Sequence, residues 1–349
     1  MGETTNNLLK ICFITGPLKP GKCGITDYVE LLALEFEKFG HKVKKLEIKS
    51  FNDFVYHSKG MPKADLYSLQ FAPFLFSTNG LSGKALYTFG HMLKQCETHI
   101  NFHEIWIGAY PQASWKEKLV GWRQKREILQ FLKITNPAFI TTSNSAALDR
   151  LKRQGIATEY LYLFGNVPQF REEQIYKTQF IKVVFFGTLY DKFPYEQLAE
   201  NLDKISKLTD KSIELCLIGR KREGIGLKQL RFIARRYGFT ISEKGELPIH
   251  LISKELQSSD IGVATTPFDV IGKSGATAAM LEHRLPVFAY DDGDTPKKSL
   301  FIIEEFREQL LLLNNASIND DLYSFMSKAR KNYFVGVAHT AKKMLEIVA

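Results

Sequence analysis

Short β-branched apolar runs alternate with longer amphipathic stretches along this chain, and the whole alternation occurs twice; nothing else in the sequence limits its fold as much. Ile11–Thr15, Val43–Ile48, Leu66–Phe71, Asn101–Ile107 and Phe139–Thr142 read as buried strands. Ile25–Phe39, Lys116–Leu132 and Asn144–Arg153 carry helical periodicity, with Gly40 and Gly155 as stops. A second series puts strands at Lys182–Phe186, Glu214–Ile218, Ile261–Ala264 and Pro286–Ala289. Its helices fall at Tyr195–Leu208, Leu227–Tyr237, Ile249–Ser258 and Ala276–His283. Strands that alternate with helices form βαβ units on a parallel sheet. The fold class is therefore α/β: two Rossmann-like, doubly wound domains facing a cleft. The polar stretch Gln169–Gln179 reads as the linker, which gives domains at 1–168 and 169–325. Further helices, Leu322–Lys331 and His339–Val348, lie beyond the second sheet, and the segment 326–349 is a candidate to pack back on the first domain.

The length of 349 residues suits two domains, at ~100–200 residues each. With 44% hydrophobic and 24% charged residues, the chain is neither disordered nor a low-complexity repeat. The four cysteines, Cys12, Cys23, Cys96 and Cys216, have neither metal-ligand nor redox spacing. The opening MGETTNNLLK lacks the basic-then-apolar order of a signal peptide, and no run approaches ~18 apolar residues, so a cytoplasmic protein is expected. The net charge of +9 favours a polyanion, a phosphorylated small molecule or an anionic membrane surface. Arg123-Gln124-Lys125-Arg126 and Lys152-Arg153 lie on predicted helix surfaces, as solvated faces or as candidate peripheral contacts with anionic lipid. The interleaved basic and aromatic residues of an RNA-binding module are missing, so no nucleic-acid partner is expected.

In open α/β sheets, ligands sit outside the carboxyl ends of the strands, where helix N-termini point at them. After the first strand, Gly16-Pro17-Leu18-Lys19-Pro20-Gly21-Lys22-Cys23 has P-loop spacing, but Cys23 stands where a magnesium-binding hydroxyl belongs. Pro17 and Pro20 also remove two backbone donors, which makes a P-loop phosphotransferase the weaker reading. Gly21 and Gly24 instead allow close approach of a phosphate or sugar, with the N–H groups of Gly24, Ile25 and Thr26 at the helix start. In the second series, Lys273-Ser274-Gly275-Ala276-Thr277 opens a helix. There Ser274 can cap it while Gly275 and Ala276 leave N–H groups uncovered. Lys192 and Arg220 follow strands and reach the same end of that sheet. The rings of Phe71, Phe74 and Phe76 read as core packing.

Several stretches, PGKCGITDYVELLALEFEKFGHKV, SLQFAPFLFSTNG, NFHEIW, ITTSNSAALDRL, FGNVP, FFGTLYDK, CLIGR, GELPIHLISKELQSSDIGVATTP and KSGATAAMLEHRLPVFA, occur in one order from Ile11 to about Ala289. In that order and spacing they resemble GT-B glycosyltransferases of the family-4 type. The resemblance implies transfer of a sugar from a nucleotide-diphosphate sugar, of UDP or GDP type, to a hydroxyl of a glycan, lipid-linked or small-molecule acceptor. It implies retention at the anomeric carbon. Because helix N-termini and basic side chains can neutralise a leaving diphosphate without a metal, metal-independent transfer with no cofactor is expected. The resemblance places the donor pyrophosphate at Lys273–Thr277 with Lys192 and Arg220, and the nucleotide base or ribose at Gly245, Glu246 and Leu247. His103 with Glu104 is the implied catalytic pair, Asp27 a third candidate, and Gln70 and Asn79 candidate acceptor contacts. The family's paired glutamates fall here near Ile271 and Ala279, which leaves Asp269 or Glu282 as substitutes. That departure supports an alternative: a non-catalytic nucleotide- or sugar-binding regulator on the same fold.

Overall fold

The computed structural model describes residues 8–17, 23–57, 60–109, 113–170, 179–220, 223–291, 306, 308–313 and 335–348. Packing divides the chain into two compact units, Met1–Leu161 with Val337–Ala349 and Tyr162–Gly336. The first passage between them falls after Leu161, ahead of the expected position at 168. The reason is that Tyr162 and Gly165 are hydrogen bonded to Glu282, well inside the second unit. The predicted helix Leu322–Lys331 lies outside the described residues.

The first unit holds a parallel sheet of β1 (Lys10–Thr15), β2 (Lys42–Glu47), β3 (Leu66–Phe71), β4 (Thr98–Phe102), β5 (Phe139–Thr142) and β6 (Glu159–Tyr160), in the order β2-β1-β3-β4-β5-β6. Its helices are α1 (Gly24–Lys38), α2 (Phe51–His57), α3 (Pro73–Phe76), α4 (Gly83–Leu93), α5 (Trp115–Thr135) and α6 (Ser145–Lys152). One face of the sheet is hydrocarbon: Cys12, Ile14, Leu69, Phe71, Ile100 and Phe102 meet Phe51, Phe76, Phe89 and Phe131. Phe71 and Phe76 are buried there as expected, but Phe74 is 44% exposed. Because side chains alternate across a strand, Ser68, Gln70, His99, Asn101 and Thr141 fall on the opposite face, all buried.

The second unit repeats the plan with β7 (Phe180–Phe186), β8 (Ser212–Ile218), β9 (Thr240–Gly245), β10 (Ile261–Val263), β11 (Val287–Ala289) and β12 (Leu310–Leu312), in the parallel order β12-β11-β10-β7-β8-β9. Renumbered from β7, this is the 3-2-1-4-5-6 order of dinucleotide-binding sheets. Its helices are α7 (Tyr195–Thr209), α8 (Ile225–Tyr237), α9 (Ile249–Gln257) and α10 (Gly275–Glu282), with a 3₁₀ turn at Phe268–Lys273. Helix α11 (Gly336–Val348) begins at the end of this unit and belongs mostly to the first. No helix among the described residues is long and apolar enough to cross a membrane.

Candidate functional site

In the second unit the strand order reverses between β7 and β10, the position where such sheets bind ligands. β7 and β8 each run into a glycine, and β9 ends on one; Gly187, Gly219 and Gly245 have φ of 95°, 127° and 68°. These values suit glycine and strain any side chain. Gly187 N–H donates to Ile218 O at 3.0 Å and Gly219 N–H to Gly245 O at 2.9 Å, so the three strand ends lie side by side with bare backbone. A cavity of about 690 Å³ opens over them, lined by Gly187, Thr188, Asp191, Gly219, Arg220 and Lys244 among others. Its size is that of a small-molecule site. Ala276, in the first turn of α10, abuts the end of β7: a Cβ built on Gly187 would lie 3.3 Å from the Ala276 Cβ.

The sequence-derived donor residues divide by their surroundings. Ser274 Oγ accepts from Thr277 N–H at 3.2 Å and from Thr277 Oγ1 at 2.9 Å, so it caps α10 and keeps its own proton for a further acceptor. Thr277 is buried inside that cap, whereas Gly275 and Ala276 are half-buried. Arg220 lines the cavity and pairs through Nε with Glu246 Oε1 at 2.6 Å; both side chains are well exposed. Gly245 also lines it, next to Glu246 and Leu247. Lys192 is exposed, and it is the neighbouring Asp191 that lines the cavity, its Oδ1 accepting from Gly226 N–H at 2.9 Å. Lys273 ends the 3₁₀ turn before α10, and the Asp269 side chain lies outside the described residues. Ile271 and Ala279 are buried apolar residues, and Glu282 faces Gly165 and Tyr162. Sequence reasoning passed over Asn166, whose buried Oδ1 has no partner among the described residues; a Cβ on Gly275 would come within 3.8 Å of it.

In the first unit, His103 follows β4 directly and is buried, with the Tyr28 ring edge-on at 5.1 Å. Behind it lies a closed circuit of hydrogen bonds. Thr141 Oγ1 donates to Asn101 Oδ1 (2.9 Å), Asn101 Nδ2 to Gln70 Oε1 (3.0 Å) and Gln70 Nε2 to Ser68 Oγ (2.8 Å). Ser68 Oγ meets His99 Nδ1 at 2.9 Å, and His99 Nε2 meets Thr141 Oγ1 at 2.8 Å. Thr141 has one proton and gives it to Asn101, so it accepts from His99 Nε2, and His99 Nδ1 accepts from Ser68. His103 Nε2 lies 2.9 Å from Gln70 Oε1, an acceptor, so Nε2 carries the proton and Nδ1 is the accepting nitrogen. Burial pulls His103 down to about 4 and His99 to about 3, so both rings are neutral at pH 7.

Gln70, expected as an acceptor contact, is wholly buried in this circuit, with its Oε1 2.9 Å from His103 Nε2. Asn79 is exposed, but its Oδ1 accepts from Ser77 Oγ and Leu81 N–H, which shapes a turn. Glu104 is exposed and Asp27 half-buried in the first turn of α1. Gly24 and Ile25 start α1, where Cys23 supplies no side-chain cap, and a Cβ on Gly24 would meet open space. Gly21 and Lys22 lie outside the described residues. A second cavity, about 410 Å³, lies among Pro17, Lys49, Asn52, Phe74, Ser77 and Thr78. Among the described residues, no group of three or more His, Cys, Asp and Glu is placed to hold a metal ion.

No family model and no curated protein matches the chain. Solved structures do. Anabaena HepE in complex with UDP-glucose superposes with a TM-score of 0.56 at 13% identity, over 97% of this chain and 99% of that one. This is the GT-B fold. AviGT4, a glycosyltransferase of avilamycin A biosynthesis, matches at TM-score 0.50 and 15% identity, over 97% of this chain and 96% of that one. A Listeria monocytogenes protein described as a putative UDP-N-acetylglucosamine 2-epimerase matches at TM-score 0.51 and 12% identity, over 98% and 96%. GT-B architecture thus accompanies more than one chemistry, and what this chain does has to be argued from its own residues.

Proposed function

We propose that the chain is a glycosyltransferase that moves a sugar from a nucleoside-diphosphate sugar to an acceptor hydroxyl. The observation that carries this reading is the glycine-floored cavity over β7, β8 and β9, with the start of α10 against its edge. Bare backbone there lets a nucleotide approach closely, and the first-turn N–H groups of Gly275 and Ala276, the Ser274 proton and Arg220 suit the two phosphates. The same groups stabilise the diphosphate as it leaves. The acceptor oxygen bonds to the anomeric carbon, the bond to the diphosphate oxygen breaks, and its electron pair leaves with the nucleotide. The acceptor proton passes to the departing diphosphate, which fits a retaining course.

His103 acts as a hydrogen-bonding contact. A ring held near 4 takes up little proton at pH 7, but Nδ1 accepts from a sugar hydroxyl while Gln70 fixes the opposite nitrogen. UDP complexes of Anabaena HepE make UDP-sugars the first donors to try. The test follows nucleotide release from UDP- and GDP-sugars with sugar and lipid-linked acceptors, before and after dialysis against EDTA. Acceptor-dependent release that survives EDTA supports the reading. The EDTA arm matters because Asp292-Gly293-Asp294 spells an Asp-x-Asp, a pattern suited to a divalent cation, and lies outside the described residues. Loss of activity on EDTA would assign it a metal. Ile271 and Ala279, apolar and buried, favour a second reading as a binding protein, for which the same assay gives binding without release.

A further inference from the structure

We propose that the outward face of α5 is a membrane contact that seats the first unit on a bilayer carrying anionic lipid. This goes beyond the donor reading and stands independently of it. The helix is fixed to its unit by Gly121, Gln124, Ile128, Phe131, Leu132 and Thr135, all buried. At 100° per residue these define one side, and Trp115, Leu119, Trp122 and Arg126 line the other. Trp115 is 71% exposed, Leu119 52% and Trp122 54%, three large apolar side chains along two turns of one helix. Large apolar residues scattered singly need no explanation; this run is contiguous.

Charge selects the occupant. The helix carries six basic residues, Lys116, Lys118, Arg123, Lys125, Arg126 and Lys133, against two carboxylates. Both carboxylates are engaged at other backbone groups. Glu117 completes a capping box with Ser114, and Glu127 accepts from the N–H groups of Ser82 and Gly83. Lys116 lies 5.8 Å over the Trp115 ring and Arg126 4.9 Å over Trp122, so cations and rings share one surface. Tryptophan with flanking Lys and Arg suits the headgroup boundary, where the rings enter the upper acyl region and the cations meet phosphate. A second copy docking on this face would bring two sets of these cations together. A nucleic acid would use the cations and leave the leucine and rings on a convex surface with nothing to bury them.

Vesicle co-sedimentation tests this on the intact chain. Phosphatidylcholine vesicles containing phosphatidylglycerol should retain it, pure phosphatidylcholine should not, and high salt should weaken retention. The Lys118→Glu/Arg126→Glu variant should lower the partition about tenfold or more, at about 1 kcal/mol per charge and 1.4 kcal/mol per tenfold, and the Trp115→Ser/Trp122→Ser variant should lower it through loss of the apolar anchor. Both pairs are exposed, so thermal unfolding should stay unchanged and separates lost contact from lost fold. Failure to bind anionic vesicles overturns the proposal, as does binding that neither variant reduces. Retention of duplex DNA in place of vesicles would assign the face to nucleic acid. A dimer abolished by the tryptophan variant, without vesicle binding, would assign it to a second copy.

Discussion

Glu282 shows how one residue ties chain segments together and what its burial costs. Its Oε1 accepts from Gly165 N–H at 2.8 Å and Tyr162 OH at 3.1 Å, and the carboxylate also takes the Gly336 N–H. Those donors lower its pKa, but burial outweighs them and raises it from 4.5 to about 7. The raised value means that the protonated form is the one the folded site favours. Its contribution is complete below 4.5 and is lost as the pH rises through about 7. Glu282→Gln keeps the accepting oxygen and removes the charge, so the protection factor of the Gly165 amide, its exchange rate corrected for the intrinsic pH dependence, should no longer vary with pH between those values. An unchanged profile would place the titration elsewhere. In the first unit, Gln70→Ala leaves the Asn101 amide and the His103 ring N–H without an acceptor. A loss of about 1–3 kcal/mol is expected in urea unfolding followed by tryptophan fluorescence. Tryptophan reports that unit alone, because Trp106, Trp115 and Trp122 all lie in it.

At the scale of the element, glycines at strand ends decide whether the donor cavity exists. Gly219→Val puts a β-branched side chain at a φ of 127° and into the cavity, so nucleotide affinity should fall at least about tenfold, read by calorimetry. Undiminished affinity would move the donor off these strands. The strands themselves were legible where their runs are apolar: β3 and β5 have the bounds their sequences predict. β4 was not, because Thr98, His99 and Asn101 look unsuited to a buried strand. Only the partners Ser68, Gln70 and Thr141, distant in sequence, make His99 and Asn101 fit one. The expected strand Asn101–Ile107 is therefore displaced to Thr98–Phe102. β9 escaped because TISEKG carries no apolar run and forms a sheet edge. Ser274 as a cap was readable from its place before a helix. The position of Ala276 against Gly187 was not, since it depends on which strands are neighbours.

For the whole molecule, the buried histidines behind β4 and the buried Glu282 respond to acid in opposite directions. His99 and His103 are held well below 6.5, so the stability they lend is present above that value and is lost as the pH falls toward about 3 and 4 respectively. Glu282 works the other way. Acidification from 7 to 5 should weaken the first unit by tryptophan fluorescence while the protection factor of the Gly165 amide, corrected for the intrinsic pH dependence of exchange, rises. Parallel weakening of both would contradict this assignment. The doubling of the α/β plan was plain in the sequence, since two series of alternating runs imply two sheets. The point of passage at Leu161 was not, because the polar linker Gln169–Gln179 draws attention away from Tyr162 and Gly165, whose partner is more than a hundred residues distant. The central claim is that the cavity over β7, β8 and β9 takes a nucleoside-diphosphate sugar. Titration calorimetry of the intact chain with UDP, GDP and their sugars tests it most directly. Saturable one-site binding of at least one nucleotide sugar is expected; no heat of binding from any of them would contradict a donor site there.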